Sequence, residues 1–305
     1  MKTIKDIKRR ISKKFLDFNR IYSEAIDSKF FARRIYLEDK ILNSDKSGIT
    51  AKAYCDTEII VSLTSYGKRV KDVCFTIESL MQQTRKANRI ILWLDKELEH
   101  SILPASLELQ KSRGLEMYFT EDIRSYTKLI PALSAYPDAA IITVDDDIIY
   151  EFDILDRIIS SYIVDPHSIH ACRIHSMTLN SEGKLMPYSN WEWRTANETY
   201  PNRNFITGVG GALYPPHSLA PQVLDDNVFT SICPTADDVW FTAMALLNGT
   251  PIKKVDTRSS VGEDYIENLS VQDVGLRNIN VGENGQNDHQ IKAVFGKYDL
   301  YKLLK

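Results

Sequence analysis

Residues 141–150 read IITVDDDIIY: a β-branched apolar run, three adjacent aspartates, and apolar residues again. The run has the composition of a buried strand. A strand ending on Asp145, Asp146 and Asp147 sets carboxylates side by side, where they repel one another and resist leaving water. Either the strand ends in solvent there, or something positive sits among the three. In an extended segment Asp145 and Asp147 point to one face and Asp146 to the other, so two carboxylates are presented together. Hard divalent cations such as Mg²⁺ or Mn²⁺ take oxygen ligands of this kind, with substrate phosphates completing the shell. An acidic strand end that binds no metal is the competing reading.

Working outward from the triplet, short apolar strands alternate with helical segments. Residues 58–63, 89–94, 115–119 and 140–144 read as strands, and 70–83, 103–113 and 126–135 as helices. This alternation predicts an α/β fold, a Rossmann-like, mostly parallel sheet flanked by helices. Ligands of such sheets bind beyond the carboxyl ends of the strands. Thr64-Ser65-Tyr66, Asp95, Glu121-Asp122 and the triplet all fall there, so they are expected to converge on one crevice. Hydroxyls and amides of the Thr64-Ser65-Tyr66 turn can hold a nucleoside base or ribose, Arg69 can approach phosphate, and Asp95 can accept from a base or ribose. Lys128, where a helix begins, can meet a diphosphate as a point charge. An ordinary polar loop and a solvated lysine are the alternatives.

The first residues differ from the rest. Ile4, Ile7, Ile11, Phe15, Phe18 and Tyr22 recur at helical spacing, while Lys5, Lys8, Arg9, Arg10, Lys13 and Lys14 cover the other face. This basic amphipathic helix suits either an anionic membrane surface, through residues 1–26, or packing on the domain. The organisation predicted is a basic helical extension over 1–42, a linker over 43–57 and a catalytic domain over 58–305. The chain has 305 residues, 43% hydrophobic and 26% charged, with net charge -3, which gives no reason to expect nucleic acid. Cys55, Cys74, Cys172 and Cys233 show no C-x-x-C spacing and read as reduced packing residues. Without a membrane-length apolar run or a signal peptide, the sequence predicts a cytoplasmic protein, peripheral at the inner membrane face if the basic helix docks there.

Several ordered blocks carry a resemblance: SLTSYGKR at 62–69, TIESLMQQT at 76–84, IILWLD at 90–95, EDIRSYTKLIPAL at 121–133, the triplet block, TGVGGALYPP at 207–216 and PTADDVWF at 234–241. Over roughly residues 58–300 the chain resembles GT-A-type, family 2-like bacterial glycosyltransferases of surface-polysaccharide biosynthesis. The resemblance implies a GT-A fold, a nucleotide-sugar donor across the sheet's carboxyl edge, foremost a UDP-sugar, and Mn²⁺ or Mg²⁺ on its diphosphate. It implies that Asp145 faces the ribose or a metal-bound water, that Asp147 ligates the cation, and that Asp146 belongs to the donor-facing set. It further implies that a late segment completes the metal shell, through Asp288 or His289. The acceptor implied is a saccharide or a lipid-linked saccharide.

The remaining motifs have two readings each. In PTADDVWF, acids opening a helix compensate its dipole; the resemblance makes one of them the general base, Asp238 ahead of Asp237, and a base favours inversion. TGVGGALYPP brings backbone close to something, so Gly210 and Gly211 form either a wall of the sugar or acceptor site or a structural turn. Trp191 and Trp193, two apart, would share one strand face as an acceptor platform, or pack in the core. His170 and His175 read as structural. A nucleotidyltransferase and a catalytically inactive carbohydrate-binding relative are the other functions weighed. The first lacks its glycine-rich basic phosphate loop, and the intact acids speak against the second.

Overall fold

Near-continuous apolar strands require helices on both faces, and the central strands are of this kind. In β1 (Ile59–Thr64), Ile59 and Val61 enter one core and Ile60 the other. The structure, a computed structural model, describes residues 4–195, 200–259, 264–268, 271 and 285–305, with the backbone alone at 4–19, 22 and 23.

Strands β1, β2 (Arg89–Asp95), β3 (Leu115–Thr120) and β4 (Ala140–Thr143) are parallel, in the order β3-β2-β1-β4. The sheet then continues through β7 (Asn204–Tyr214), antiparallel to β4, to β6 (Ile169–Ser176) and β8 (Ile252–Lys254), giving seven strands. Because β7 is antiparallel to both neighbours, β6 runs the same way as β4, and the two carboxyl ends lie on one edge. A separate two-stranded ribbon pairs β5 (Ile148–Tyr150) with β9 (Tyr265–Glu267).

One core is covered by α4 (Ile130–Ala135), α6 (Asp226–Ile232), α7 (Asp237–Asn248) and α8 (Gln286–Lys297), whose Ile130, Phe229, Trp240, Phe241 and Phe295 are buried in it. The other is covered by α1 (Ile4–Asn43), α2 (Val73–Met81), α3 (Ala105–Lys111) and α5 (Ile154–Val164). This is the α/β arrangement, a mostly parallel sheet flanked by helices, expected from the alternation of elements.

Three local features differ from the sequence reading. The triplet is not extended: β4 stops at Thr143, the chain turns over Asp146 and Asp147, and it re-enters a strand at Ile148. An extended run would keep two like charges on one face, whereas the turn sends Asp145 to Lys128 and lets Asp146 and Asp147 share Arg69. The N-terminal helix is no detached extension over its whole length, because Phe30, Leu37 and Ile41 are buried in the second core, worth about 2 kcal/mol each. Lys29 pairs with Glu151 at 2.9 Å, and the Arg33 guanidinium lies 3.5 Å from the Phe152 ring centroid and donates to the Tyr150 carbonyl. Residues 43–57, polar enough to read as a linker, are tied down instead: Gly48 N–H donates to Arg113 O and Thr50 N–H to Ala87 O. A Cβ on Gly48 would fall 2.4 Å from Met81 Cγ, which is why a glycine stands there.

Candidate active site

The carboxyl ends of β1, β4 and β6, with the first half of β7, border a cavity of about 530 Å³. Its acidic floor is the turn after β4. Thr76 Oγ1 donates to the Asp146 carbonyl, Asp145 N–H donates to the Tyr150 hydroxyl, and Asn268 N–H donates to the Asp147 carbonyl, fixing the turn from three sides.

The positive groups that the triplet calls for are internal. Asp146, 6% exposed, points inward and accepts from Ser65 Oγ at 2.6 Å and Arg69 Nη1 at 2.8 Å. Arg69 Nη2 also lies 3.2 Å from Asp147 Oδ2. Lys128 Nζ donates to Asp145 Oδ1 at 3.0 Å and lies 3.1 Å from Asp237 Oδ2. Burial disfavours the Lys128 ammonium, but Asp145, Asp237 and Asp238 outweigh it and hold the pKa well above the ordinary lysine range. The lysine is therefore a fixed charge. Its backbone is anchored to β1 by a relay in which Trp93 Nε1 donates to Ser62 Oγ at 2.9 Å and Ser62 Oγ donates to the Lys128 carbonyl at 2.6 Å.

Beside the floor, reached by Lys128 through Asp237, stands the N-terminus of α7. Thr235, just before it, is clasped to α8 by Gln290, which accepts from its N–H and donates to its hydroxyl, both at 2.9 Å. Asp238 Oδ1 accepts from Gly208 N–H at 3.0 Å. Burial first, and the Asp237 charge second, push Asp238 up to about 7 against the pull of Lys128. In the floor, burial and the Asp145 charge push Asp147 up to about 6 against the pull of Arg69. A carboxylate near 7 is poised to exchange a proton at neutral pH. Gly208 sits where floor and helix meet: a Cβ there would lie 3.0 Å from Lys128 Nζ, 3.3 Å from Asp238 Oδ1 and 3.9 Å from Asp145 Oδ1.

Of the residues singled out in the sequence, Thr64, Tyr66, Arg69, Lys128, Asp145, Asp146, Asp147, Trp193, Asp237 and Asp238 border this one cavity. Ser65 stands behind it, holding Asp146. Asp95 does not border it and accepts from Glu97 N–H, opening a short 3-10 turn. The two tryptophans part: Trp191 is buried and donates to Met186 O, while Trp193 reaches the cavity, because a 3-10 turn over Tyr188–Asn190 interrupts the strand alternation. Gly210 and Gly211 lie further along β7 at φ 91° and 103°, and a Cβ on Gly211 would press on Ile158 Cδ1 at 3.1 Å. Asp288 Oδ1 accepts from Tyr188 N–H, and His289 is exposed; neither borders the cavity, but their neighbour Asn287 does.

Among the bordering residues that the sequence reading did not assign to the site are Arg173, Arg194, Gly208 and Asn287, together with His175, which it read as structural. Arg173 and His175 alternate along β6 with the buried Cys172 and Ile174, a period-two signal masked by the surrounding apolar run. His175 stacks on Trp193 with ring centroids 5.0 Å apart, and its Nδ1 accepts from Arg194 N–H. Burial, with the Arg173 and Arg194 charges, lowers its pKa to about 4, so it is neutral.

Among the described residues no three His, Cys, Asp or Glu side chains converge as a ready-made cation site. The donor set still suits a hard cation that shares its shell with phosphate: Asp145 and Asp147 crowd their charges, and Asn287 Oδ1 is buried without a hydrogen-bond partner among the described residues.

Floor, helix terminus and strand edge thus define an α/β protein with a carboxylate-rich crevice at the carboxyl edge of its sheet. No family profile and no curated protein sequence matches the chain. Among solved structures it is similar to the mannosyltransferase PcManGT from Pyrobaculum calidifontis in complex with GDP-Man and Mn²⁺, at 13% identity and a TM-score of 0.49, over 90% of this chain and 73% of that one. It is also similar to CMP:2-keto-3-deoxy-manno-octonic acid synthetase complexed with CTP, at 10% identity and a TM-score of 0.38, over 66% of this chain and 90% of that one. Both likenesses are distant, and what the crevice can do follows from its own side chains.

Proposed function

We propose that the protein is a glycosyltransferase that moves a sugar from a nucleotide-sugar, foremost a UDP-sugar, to a saccharide or lipid-linked acceptor. The observation that carries this reading is the meeting around Gly208 of the Asp145–Asp147 turn, the Lys128 ammonium and the Asp238 carboxylate. An anionic leaving group and a hydroxyl nucleophile need this combination: cations at one end and a proton acceptor at the other.

Thr64 and Tyr66 border the nucleoside end, and Arg69 and Lys128 are within the same cavity to meet phosphate. Asp145 and Asp147, with the Asn287 amide oxygen, would hold Mn²⁺ or Mg²⁺. Bound there, the cation supplies charge neutralisation to the departing nucleoside diphosphate. Asp238, raised to about 7, takes the acceptor hydroxyl's proton as the oxygen attacks the anomeric carbon and the diphosphate leaves from the opposite face. The outcome of that in-line step is inversion. Asp237, paired with Lys128, orients the lysine.

The basic pattern of residues 1–26 suits an anionic membrane surface carrying a lipid-linked acceptor, in keeping with a role in surface-polysaccharide synthesis. Among the described residues no helix is long and apolar enough to cross a membrane.

Thermal unfolding with UDP, GDP or CMP, each in Mn²⁺ and in EDTA, tests the donor site, because a ligand of the native state raises the midpoint by mass action. A nucleotide shift that needs Mn²⁺ and vanishes in Asp147→Ala is expected, followed by turnover with the matching nucleotide-sugar. No shift with any nucleotide, in folded protein, would remove the donor site. Pyrophosphate release from a nucleoside triphosphate and a sugar 1-phosphate would replace the transferase reading with a nucleotidyltransferase.

A further inference from the structure

The β6 side of the cavity carries a charge outside the proposed donor contacts. Arg173 projects from β6, partly buried, and its guanidinium is held by two neutral groups: Nε donates to Thr207 Oγ1 at 2.9 Å, and Nη1 lies 3.4 Å from the Tyr265 hydroxyl. Among the described residues it forms no ion pair, in contrast to Arg69 and Lys128 at the floor, which pair with carboxylates at 2.8 and 3.0 Å. A partly buried guanidinium bonded only to neutral groups keeps N–H donors and charge to offer an anion.

A second arginine belongs to the same wall. Arg194 borders the cavity, and its backbone sits at φ 53°, a left-handed conformation unfavourable for a non-glycine residue. Its N–H donates to His175 Nδ1, and the imidazole stacks on Trp193. Both arginines act on His175, which stays neutral and so adds no charge of its own. Arg173 also acts on Asp238, which puts the wall within electrostatic reach of the proton acceptor. Two guanidinium groups beside an exposed indole face make a surface for a sugar ring bearing an anionic substituent.

We propose that Arg173 and Arg194, with the Trp193 face, form an acceptor subsite for a saccharide carrying a phosphate or a carboxylate. The subsite rests on the transferase reading and names its acceptor class: an anionic saccharide, with phosphate and carboxylate sharing one chemistry of recognition. Neutral saccharides lack the group that Arg173 waits for.

The test uses the full chain, saturated with whichever nucleotide and Mn²⁺ shift its midpoint. Glucose 1-phosphate, glucuronate and methyl glucoside are then added in parallel to wild type, Arg173→Gln and Arg194→Gln. A further upward shift is expected with glucose 1-phosphate, glucuronate or both, and none with methyl glucoside; which anion acts separates phosphate from carboxylate. Each variant should weaken that response about tenfold or more while leaving the nucleotide shift unchanged. Arg194→Gln keeps the test decisive if Arg173→Gln does not fold. Equal shifts with neutral and anionic saccharides, no shift with any anion, or an anion response unchanged in the folded variants would overturn the proposal. If no nucleotide shifts wild type, the transferase reading fails by itself, and the same anion comparison without nucleotide still decides the subsite.

Discussion

At the scale of single residues, neighbouring aspartates in this chain have different physical fates. Asp146 is an internal counter-ion for Arg69, Asp147 shares that arginine at the cavity, and Asp145 is held by Lys128. Asp237 and Asp238 divide in the same way, one paired with Lys128 and one raised to about 7 on a backbone amide. Asp238→Asn is therefore expected to lower kcat by about 10²–10⁴ and to keep the nucleotide-dependent midpoint shift. In wild type, kcat/KM should fall as pH drops below about 7, because protonated Asp238 cannot accept a proton. A variant retaining more than a tenth of the rate would move the base role to another group. His175 supplies a pH effect on stability. Its folded pKa, lowered to about 4 from 6.5, favours the neutral form, so its contribution is complete above about 6.5 and is lost as pH falls toward 4. The loss amounts to about 3 kcal/mol at most. His175→Gln should flatten the wild-type decline in unfolding free energy between pH 6.5 and 4; parallel curves would rule the histidine out as its source.

At the scale of elements, the site depends on how strands and helices are pinned to one another. Lys128 is the last residue of a 3-10 turn over Arg124–Lys128, and what fixes that turn is the relay from Trp93 on β2 through Ser62 on β1. Ser62→Ala leaves a buried indole N–H and a carbonyl without this partner and is expected to cost about 1–3 kcal/mol. It should also weaken nucleotide binding more than a surface substitution of equal stability cost, since the ammonium loses its mounting. Chemical denaturation beside a nucleotide titration checks both effects, and loss of stability with unchanged affinity would confine the relay to a packing role. Strands β1 to β4 were legible because their apolar runs are long, and α7 because Asp237 and Asp238 open it and Gly249 closes it at φ 73°. Strands β5 and β9, three residues each, carry too little pattern to be seen in sequence, yet they support the turn that holds the triplet.

At the scale of the whole molecule, the second half of α1 is built into the sheet's second core. Among the described residues the buried side chains of that helix begin at Phe30, and Arg33 reaches β5, the strand that follows the triplet. Removing residues 1–19 should leave the thermal midpoint within a few degrees of the full chain, because the described core contacts of α1, through Phe30, Leu37 and Ile41, are all retained. The same truncation should abolish sedimentation with vesicles containing anionic lipid. A truncated protein that still binds such vesicles would locate the membrane contact elsewhere, and one that unfolds would make the first helical turns part of the core.

Sequence by itself determined the alternation of strands and helices, the acidic strand end, and the helix that opens on two aspartates, because each is written in residues close along the chain. Hydrophobic periodicity and helix-start chemistry are local, so they can be read without the fold. Only the tertiary structure decided which carboxylate faces the cavity, that Lys128 bridges Asp145 and Asp237 across 109 residues of chain, and that Trp193 rather than Trp191 reaches the site. It also brought Arg173, Gly208 and Asn287 to the same space. Pairing of charges and access to a cavity are properties of distance, and distance between residues far apart in the chain is set by how the sheet orders its strands.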